Sequence, residues 1–389
     1  MITKTFSADT TTPVRAYAAL RAATPGRSSF LLESLGERRW GKRYSLVGHR
    51  ARSETLFPGI GDVFPAIAAD LPEPPVGGEL AARFARALVG YVAYDAVHRI
   101  HGHEPWPDET DVARVMKDAT VALFDHEAHT ITVAGQSKGA VERCAWEMMR
   151  GPELEPLVMP TDALPAHVGA PWADGPFLTA ARRAIESAQR GEVERVVLAR
   201  TFIAGQRDAD PLDIYRALRL LSPGETTYLV DFFETPFAPG VTLVGTASRE
   251  LVATGPEGAD RSLSAARAAF PAAEFVGVPA ERSAALARTL EPMSRGPWGG
   301  AVGFFLGDGE VHLVPGTTTI LLRTAELRVC AGTPVDGTTS PEAVLAATYE
   351  AARRPLRAIR VAHDLAEARA VELAKAREAA ASAAPAEEA

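Results

Sequence analysis

The chain has 389 residues, 47% of them hydrophobic and 23% charged, with 32 Gly, 29 Pro and a net charge of −8 at pH 7. These proportions exclude a disordered chain, and the length allows a large core in one to three domains. An acidic balance without a basic stripe excludes nucleic acid as a partner, and no apolar run nears the roughly 18 residues that a membrane helix needs.

In chain order, residues 11–24 read as an Ala-rich helix, and SSFLLES and RYSLVGH alternate as the strands of a half-buried sheet do. LVGYVAYDAV (88–97) is a strand or a strand-to-helix edge, and DATVALFDHEAHTITVAG (118–135) is a hairpin turning at residues 126–129. Residues 1–150 thus form a strand-rich first part. The Pro/Gly/Ala-rich stretch 151–175 reads as a linker or an exposed crossing between layers. After it come a helix, a stop at Gly191, a short strand over 196–202, a second helix in DPLDIYRALRLL, and the strands TTYLVDFF and VTLVGTA. Residues 280–291 read as a helix, and WGGAVGFFL, EVHLVPG, TTTILLRTA and LRVCAGTPV as a meander of strands. A long helical region closes the second part (176–363) and runs into an Ala/Glu-rich helical tail (364–389) whose last residues, ASAAPAEEA, should fray. The class is α+β with mixed sheets, and no internal repeat is present.

Cys144 and Cys330 lie far apart with no metal-ligand spacing, which predicts two reduced thiols in a cytoplasmic protein. The N-terminus MITKTFSADTTT lacks the apolar region of a signal peptide, in line with that compartment. HRIHGHEP brings His98, His101 and His103 close in sequence, but the spacing imposes no geometry, so a solvated turn is expected over a metal site. GPWGGAVG fits neither a dinucleotide nor a P-loop pattern, and EARAVELAKAREAAA reads as a solvated helix.

The motifs carry more in their order than singly. FLLES and RYSLVG, then LVGYVAYDAV with DATVALFDHEAHT, precede AIESAQRGEVERVVLARTF, DIYRALRLLSPGETTYLVDF and GTASRELV. FPAAEFVGVPAERSAALARTLEPMSRGPWGGAVGFF, LLRTA, AGTPVDGTTSPEA and VLAATYEAARRPLRAI follow. From about residue 14 to 360, with one large gap, this series resembles the chorismate-utilising family: anthranilate synthase component I, aminodeoxychorismate synthase component I, and isochorismate and salicylate synthases. The fold implied is the anthranilate synthase component I-like mixed-sheet α/β sandwich, here with an internal deletion.

The resemblance implies a dicarboxylate substrate neutralised by Mg2+ on glutamates from two helices. In the terminal helix the matching positions are Val344 and Ala347, with Thr348 retained. The block that should carry the other ligands, the catalytic glutamate and a histidine falls between Glu250 and Phe270, where only LVATGPEGADRSLSAARAA stands. The loop threonine becomes Glu274, the loop lysine Ala280, and a glycine whose amide would hold a carboxylate becomes Pro334, which has no N–H. A carboxylate beside a dianion costs about 4 kcal/mol per charge pair at about 4 Å and an effective dielectric of about 20.

Arg323 is similar to the arginine that grips the substrate's pyruvyl carboxylate, Trp298 replaces a ring tyrosine, and Arg195 stands where one branch has a lysine base, a role that an arginine cannot take at neutral pH. With Glu274, Gly332 and Thr333 these are the candidate substrate contacts; no catalytic residue is assigned, and neither metal nor cofactor is expected. The regulatory pocket of the anthranilate branch keeps Ser34, but its turn reads Ser222, Pro223, Gly224, Glu225, Thr226, Thr227, so tryptophan feedback is not expected. The expectation is a degenerate family member, a pseudoenzyme of aromatic or secondary metabolism acting as a binding or accessory protein. The alternatives are an enzyme with altered chemistry on an aromatic or carboxylate metabolite, and an ordinary anthranilate or aminodeoxychorismate synthase subunit. Its partners would be a small carboxylate or aromatic ligand and a second copy or a pathway protein, with no membrane.

Overall fold

Runs such as FLLES and TYLVDF are apolar at consecutive positions, so these strands need cover on both faces rather than on one. A computed structural model describes residues 1–35, 42–57, 61–73, 79–104, 106, 112–158, 162–205, 209–236, 238–255, 258–323 and 326–383. In it the strands form two sheets, of 12 and 6 strands, and each described pairing is antiparallel. The core of the larger sheet runs in space Tyr44–His49, Ser29–Leu35, Thr226–Phe232, Val241–Ala247, Thr318–Arg323, Glu326–Asp336, Arg195–Gly205. The hairpin Thr120–Asp125/Thr130–Gly135 and the strand Ile2–Ser7 extend one edge, and Gly277–Val278 the other. The smaller sheet runs Val252–Ala253, Val311–Pro315, Ala301–Phe305, Leu88–Val92, Ala113–Lys117, Ser53–Phe57.

Alternation along each strand sorts its side chains into different layers. Phe30, Leu32, Leu46, Val230 and Leu243 point between the sheets, where they meet Val89, Tyr91, Phe304 and Val314 of the smaller one. Leu31, Val47, Leu229 and Val244 point outward beneath the helices Pro13–Ala23, Lys138–Met148, Pro211–Leu221 and Pro341–Ala383. The outer face of the smaller sheet is covered by Val63–Asp70, Ala96–Ile100, Ala259–Ala269 and Ala273–Val276. The result is a helix–sheet–sheet–helix sandwich, α+β as expected. Among the described residues no helix is long and apolar enough to cross a membrane.

Four details correct or extend the sequence reading. The strands between residues 301 and 336 are not one meander: Ala301–Phe305 and Val311–Pro315 lie in the smaller sheet, and the chain crosses at Gly316 so that Thr318–Arg323 and Glu326–Asp336 join the larger. Both sheets combine strands from either side of residues 151–175, so the two parts of the chain share one set of layers. The stretch 251–269, unassigned in the sequence, ends in the helix Ala259–Ala269, which buries Leu263 and Ala266. One of the three histidines is not in a solvated turn: His98 is fully buried in the helix Ala96–Ile100, edge-on to Trp106 at 4.6 Å, because the aromatic residues around it supply an apolar seat, whereas His101 and His103 stay partly exposed at the turn that follows. The end of the tail expected to fray, 384–389, lies outside the described residues.

One glycine shows how tightly the larger sheet is packed. A Cβ on Gly245 would stand 2.3 Å from both the Thr318 carbonyl and the Tyr228 hydroxyl, and that hydroxyl shares a 2.7 Å hydrogen bond with Thr319. Gly245→Ala is therefore expected to destabilise the protein by about 1–3 kcal/mol through forced displacement of a buried bond, read as a lower midpoint in chemical denaturation.

Candidate functional site

The stretch 270–305 supplies the floor of a cleft at one end of the larger sheet. Its helix Ala280–Leu290 ends in Glu291, and the turn that follows folds a charged pair into the interior. The Arg295 guanidinium donates to both Glu291 carboxylate oxygens, at 2.6 and 2.8 Å, and to the carbonyls of Phe275 and Val197, each at 2.7 Å. It lies over the Tyr94 ring, 4.1 Å from its centroid. Glu291 also accepts the Ala199 amide at 2.9 Å, while Asp95 accepts the amides of Arg295 and Gly296 at 3.1 and 2.7 Å. Burial pushes the Glu291 carboxyl up and Arg295 draws it back; the guanidinium does not give up its proton, so the pair stays ionic. Asp95 follows a strand of the smaller sheet and Val197 and Ala199 belong to the larger, so this knot holds the two sheets together behind the cleft floor.

Trp298 comes next in the chain. Its ring meets Phe275 edge-on at 5.2 Å and passes so close to Gly332 that a Cβ there would lie 2.5 Å from the indole Cη2. Glycine at 332 is thus what allows the indole to lie across the strand. The cleft beside it has a volume of about 870 Å3 and is lined by Glu274, Phe275, Trp298, Thr317, Thr318, Ala331 and Gly332 on one side. Opposite stands the helix Pro341–Ala383 with Ala347, Glu350, Ala351, Arg353, Arg354 and Arg357, and Asp162 and Leu221 complete the rim.

The expected contacts distribute unevenly around this cleft. Glu274, Trp298 and Gly332 line it together. Thr333, the next residue along its strand, and Arg195 do not; Arg195 begins its strand opposite Asp336 and Val278 at the sheet's edge. Arg323 also stands apart. Thr317 and Thr318 are at the cleft, whereas Arg323 lies opposite Glu326 in the backbone register at the far end of the same strand, five residues beyond Thr318, or about 16 Å at 3.3 Å per residue. The motif LLRTA is therefore displaced from the cleft by the strand register, and its last two residues lie outside the described ones.

The two positions of the terminal helix that the resemblance matches to metal ligands part company for a similar reason. Val344 is fully buried in an apolar cluster with Trp172, Phe177 and Leu290, whereas Ala347 turns its methyl to the cleft. Each carboxylate on the described wall is held by an arginine: Glu274 by Arg249, Glu350 by Arg353 at 3.3 Å, Asp162 by Arg357 at 3.3 Å. The pairing of Glu274 removes much of the repulsion expected of it toward an anion. Among the described residues no group of three or more His, Cys, Asp or Glu could hold a metal ion. Sequence reasoning passed over Arg353, Arg354 and Arg357; the signal was a basic run, RRPLR, at helical spacing after Ala347.

A family model described as chorismate binding enzyme matches residues 62–242 and 249–343. The chain belongs to that family. It is 24% identical to anthranilate synthase component 1 of Thermus thermophilus over 465 aligned positions, covering 92% of this chain and 97% of that protein. To the Streptomyces coelicolor protein of the same name it is 25% identical over 456 positions, with 91% and 88% covered. Among solved structures, anthranilate synthase component I from Streptococcus pneumoniae superposes with a TM-score of 0.68 at 18% identity, over 81% of this chain and 92% of that one. MenF, the menaquinone-specific isochorismate synthase of Escherichia coli, gives 0.60 at 11% identity, over 93% and 94%. At these identities the structures bear on the fold alone. The chorismate-binding sandwich of this family is thus the frame in which the cleft sits, with Trp298 and Gly332 on its floor and Ala347 on its wall.

Proposed function

We propose that this member of the chorismate-binding family has relinquished the magnesium-dependent reaction and uses its cleft for binding, as an accessory protein of aromatic metabolism. The observation that carries the reading is the acid inventory of the wall: Val344 is packed in hydrocarbon, Ala347 offers no oxygen, and Glu274, Glu350 and Asp162 each face an arginine. Mg2+ takes six oxygens and needs at least one or two carboxylates from the protein to anchor it beside its waters and substrate, and arginines beside the remaining carboxylates would repel it. The described residues of this wall therefore do not fit Mg2+.

The short connection between Glu250 and Phe270 supports the same reading. It holds the strand Val252–Ala253 and the helix Ala259–Ala269, which cover the smaller sheet, so its residues serve the core. The alignment to the Thermus thermophilus relative runs to 465 positions while taking in 92% of a 389-residue chain, so it contains gaps in this chain, and we place the main one in this connection. Arg195, Arg323 and Thr333 have no assigned part in the proposal, since none lines the cleft. A cytoplasmic setting is part of it: both cysteines are buried, and burial pushes the Cys144 thiol up to about 12, so neither invites oxidation.

The test is turnover. Incubated with chorismate, ammonia and Mg2+, the protein is expected to form no anthranilate, aminodeoxychorismate or isochorismate above a blank, followed by product fluorescence and chromatography. Magnesium-dependent product formation that EDTA abolishes would overturn the reading.

A further inference from the structure

We infer that the cleft holds an aromatic carboxylic acid through guanidinium groups, without a divalent cation, its ring against Trp298 and its carboxylate on Arg353 and Arg357. This rests on the metal-free reading above and adds the class of ligand.

Arg353 and Arg357 stand one turn apart on the helix Pro341–Ala383, so their side chains emerge side by side along the wall of the 870 Å3 cleft. Their present partners hold them loosely. Arg353 meets Glu350 and Arg357 meets Asp162 through single contacts of 3.3 Å, and these acids are 73% and 75% exposed. A full charge-assisted bond is about 2.7–2.9 Å, and exposed pairs contribute little. The buried pair behind the floor shows the contrast: Arg295 and Glu291, 1% and 2% exposed, are bidentate at 2.6 and 2.8 Å. A ligand carboxylate can therefore displace Glu350 or Asp162 into water and leave no charge stranded.

The rest of the wall suits a flat apolar body. Gly332 lets the indole of Trp298 lie across the strand, and Ala347 and Ala351 withdraw side-chain bulk opposite it. One turn beyond Ala351 the helix carries Pro355, which has no N–H to give back to the Ala351 carbonyl. That carbonyl thus lacks its usual helical donor. A volume of this order takes a ligand larger than a single ring.

Titration calorimetry with 2-naphthoate and its neutral counterpart 2-naphthamide, in EDTA and again in Mg2+, tests the inference. The acid is expected to bind about tenfold or more tightly than the amide, with the same affinity in both buffers. Arg353→Gln and Arg357→Gln should each remove about tenfold, while Lys375→Gln on the exposed part of the same helix changes nothing; glutamine keeps helix propensity, and a melt checks each variant. Trp298→Leu should weaken both compounds and abolish any quenching of indole fluorescence by them. Equal affinity for acid and amide, binding unchanged in both arginine variants, or binding only with Mg2+ would overturn it. Turnover of chorismate, measured separately, bears on the proposed function and leaves these affinities as an independent result.

Discussion

Replacing Arg295 by methionine is expected to lower the free energy of unfolding by about 3–5 kcal/mol, the cost of leaving one member of a buried ion pair alone. Glu291 would remain in the interior with only the Ala199 amide as donor, and the carbonyls of Phe275 and Val197 would each lose a 2.7 Å bond. The cost is shared between the sheets, because Asp95 holds the same turn through the amides of Arg295 and Gly296. Removing the second charge as well relieves most of the desolvation problem. The double variant Arg295→Met with Glu291→Leu is therefore expected to be more stable than Arg295→Met alone, with a coupling of about 1–3 kcal/mol by urea titration. Additive losses would show that the pair acts as separate hydrogen-bonding groups and not as a compensated ion pair.

Acidification from pH 7 to pH 5 is expected to cost about 2 kcal/mol for each of two buried histidines. His49 and His98 are both held near a pKa of about 3, chiefly because burial disfavours the charged ring. Nearby cations add to it: Arg50 and Arg143 for His49, and Arg295 and Arg288, with His103 and His101, for His98. Unfolded, each ring takes up a proton near pH 6.5, while the native ring stays neutral to about 3. The unfolded state therefore binds more protons throughout this window, and stability rises with pH, or falls as pH is lowered, by about 1.4 kcal/mol per unit per group. Keeping the measurement between 6.5 and 5 avoids most carboxylate titration. Both ring nitrogens of His49 are buried without a hydrogen-bond partner, so His49→Leu should be tolerated at pH 7 and should halve the slope. A slope unchanged by that substitution would show that other groups cause the acid loss.

Much of this molecule is legible in its residues. The hairpin over 118–135, the helix of DPLDIYRALRLL and the strands TTYLVDFF and VTLVGTA follow from local periodicity and turn residues, and they stand where expected. The helix Ala259–Ala269 was harder to see because its apolar positions are mostly alanines, which show a buried face poorly until Leu263 and Ala266 are seen against the smaller sheet. His98 was misread as solvated because three histidines near glycine suggest a loop, whereas Trp106 and Tyr94 close over the ring from positions that the spacing does not reveal.

The order of motifs determined the family, and the residue types at 344 and 347 determined that no carboxylate stands there; both are one-dimensional facts, carried by covalent sequence. Which side chains share the cleft was decided in three dimensions. Strand register carries Thr318 to the cleft and Arg323 about 16 Å away, and helical phase buries Val344 while turning Ala347, Glu350 and Arg354 to one wall. The physical reason is that contacts between distant segments depend on how each strand is paired and each helix is rotated. A shift of one residue in either sends the same side chain to a different face.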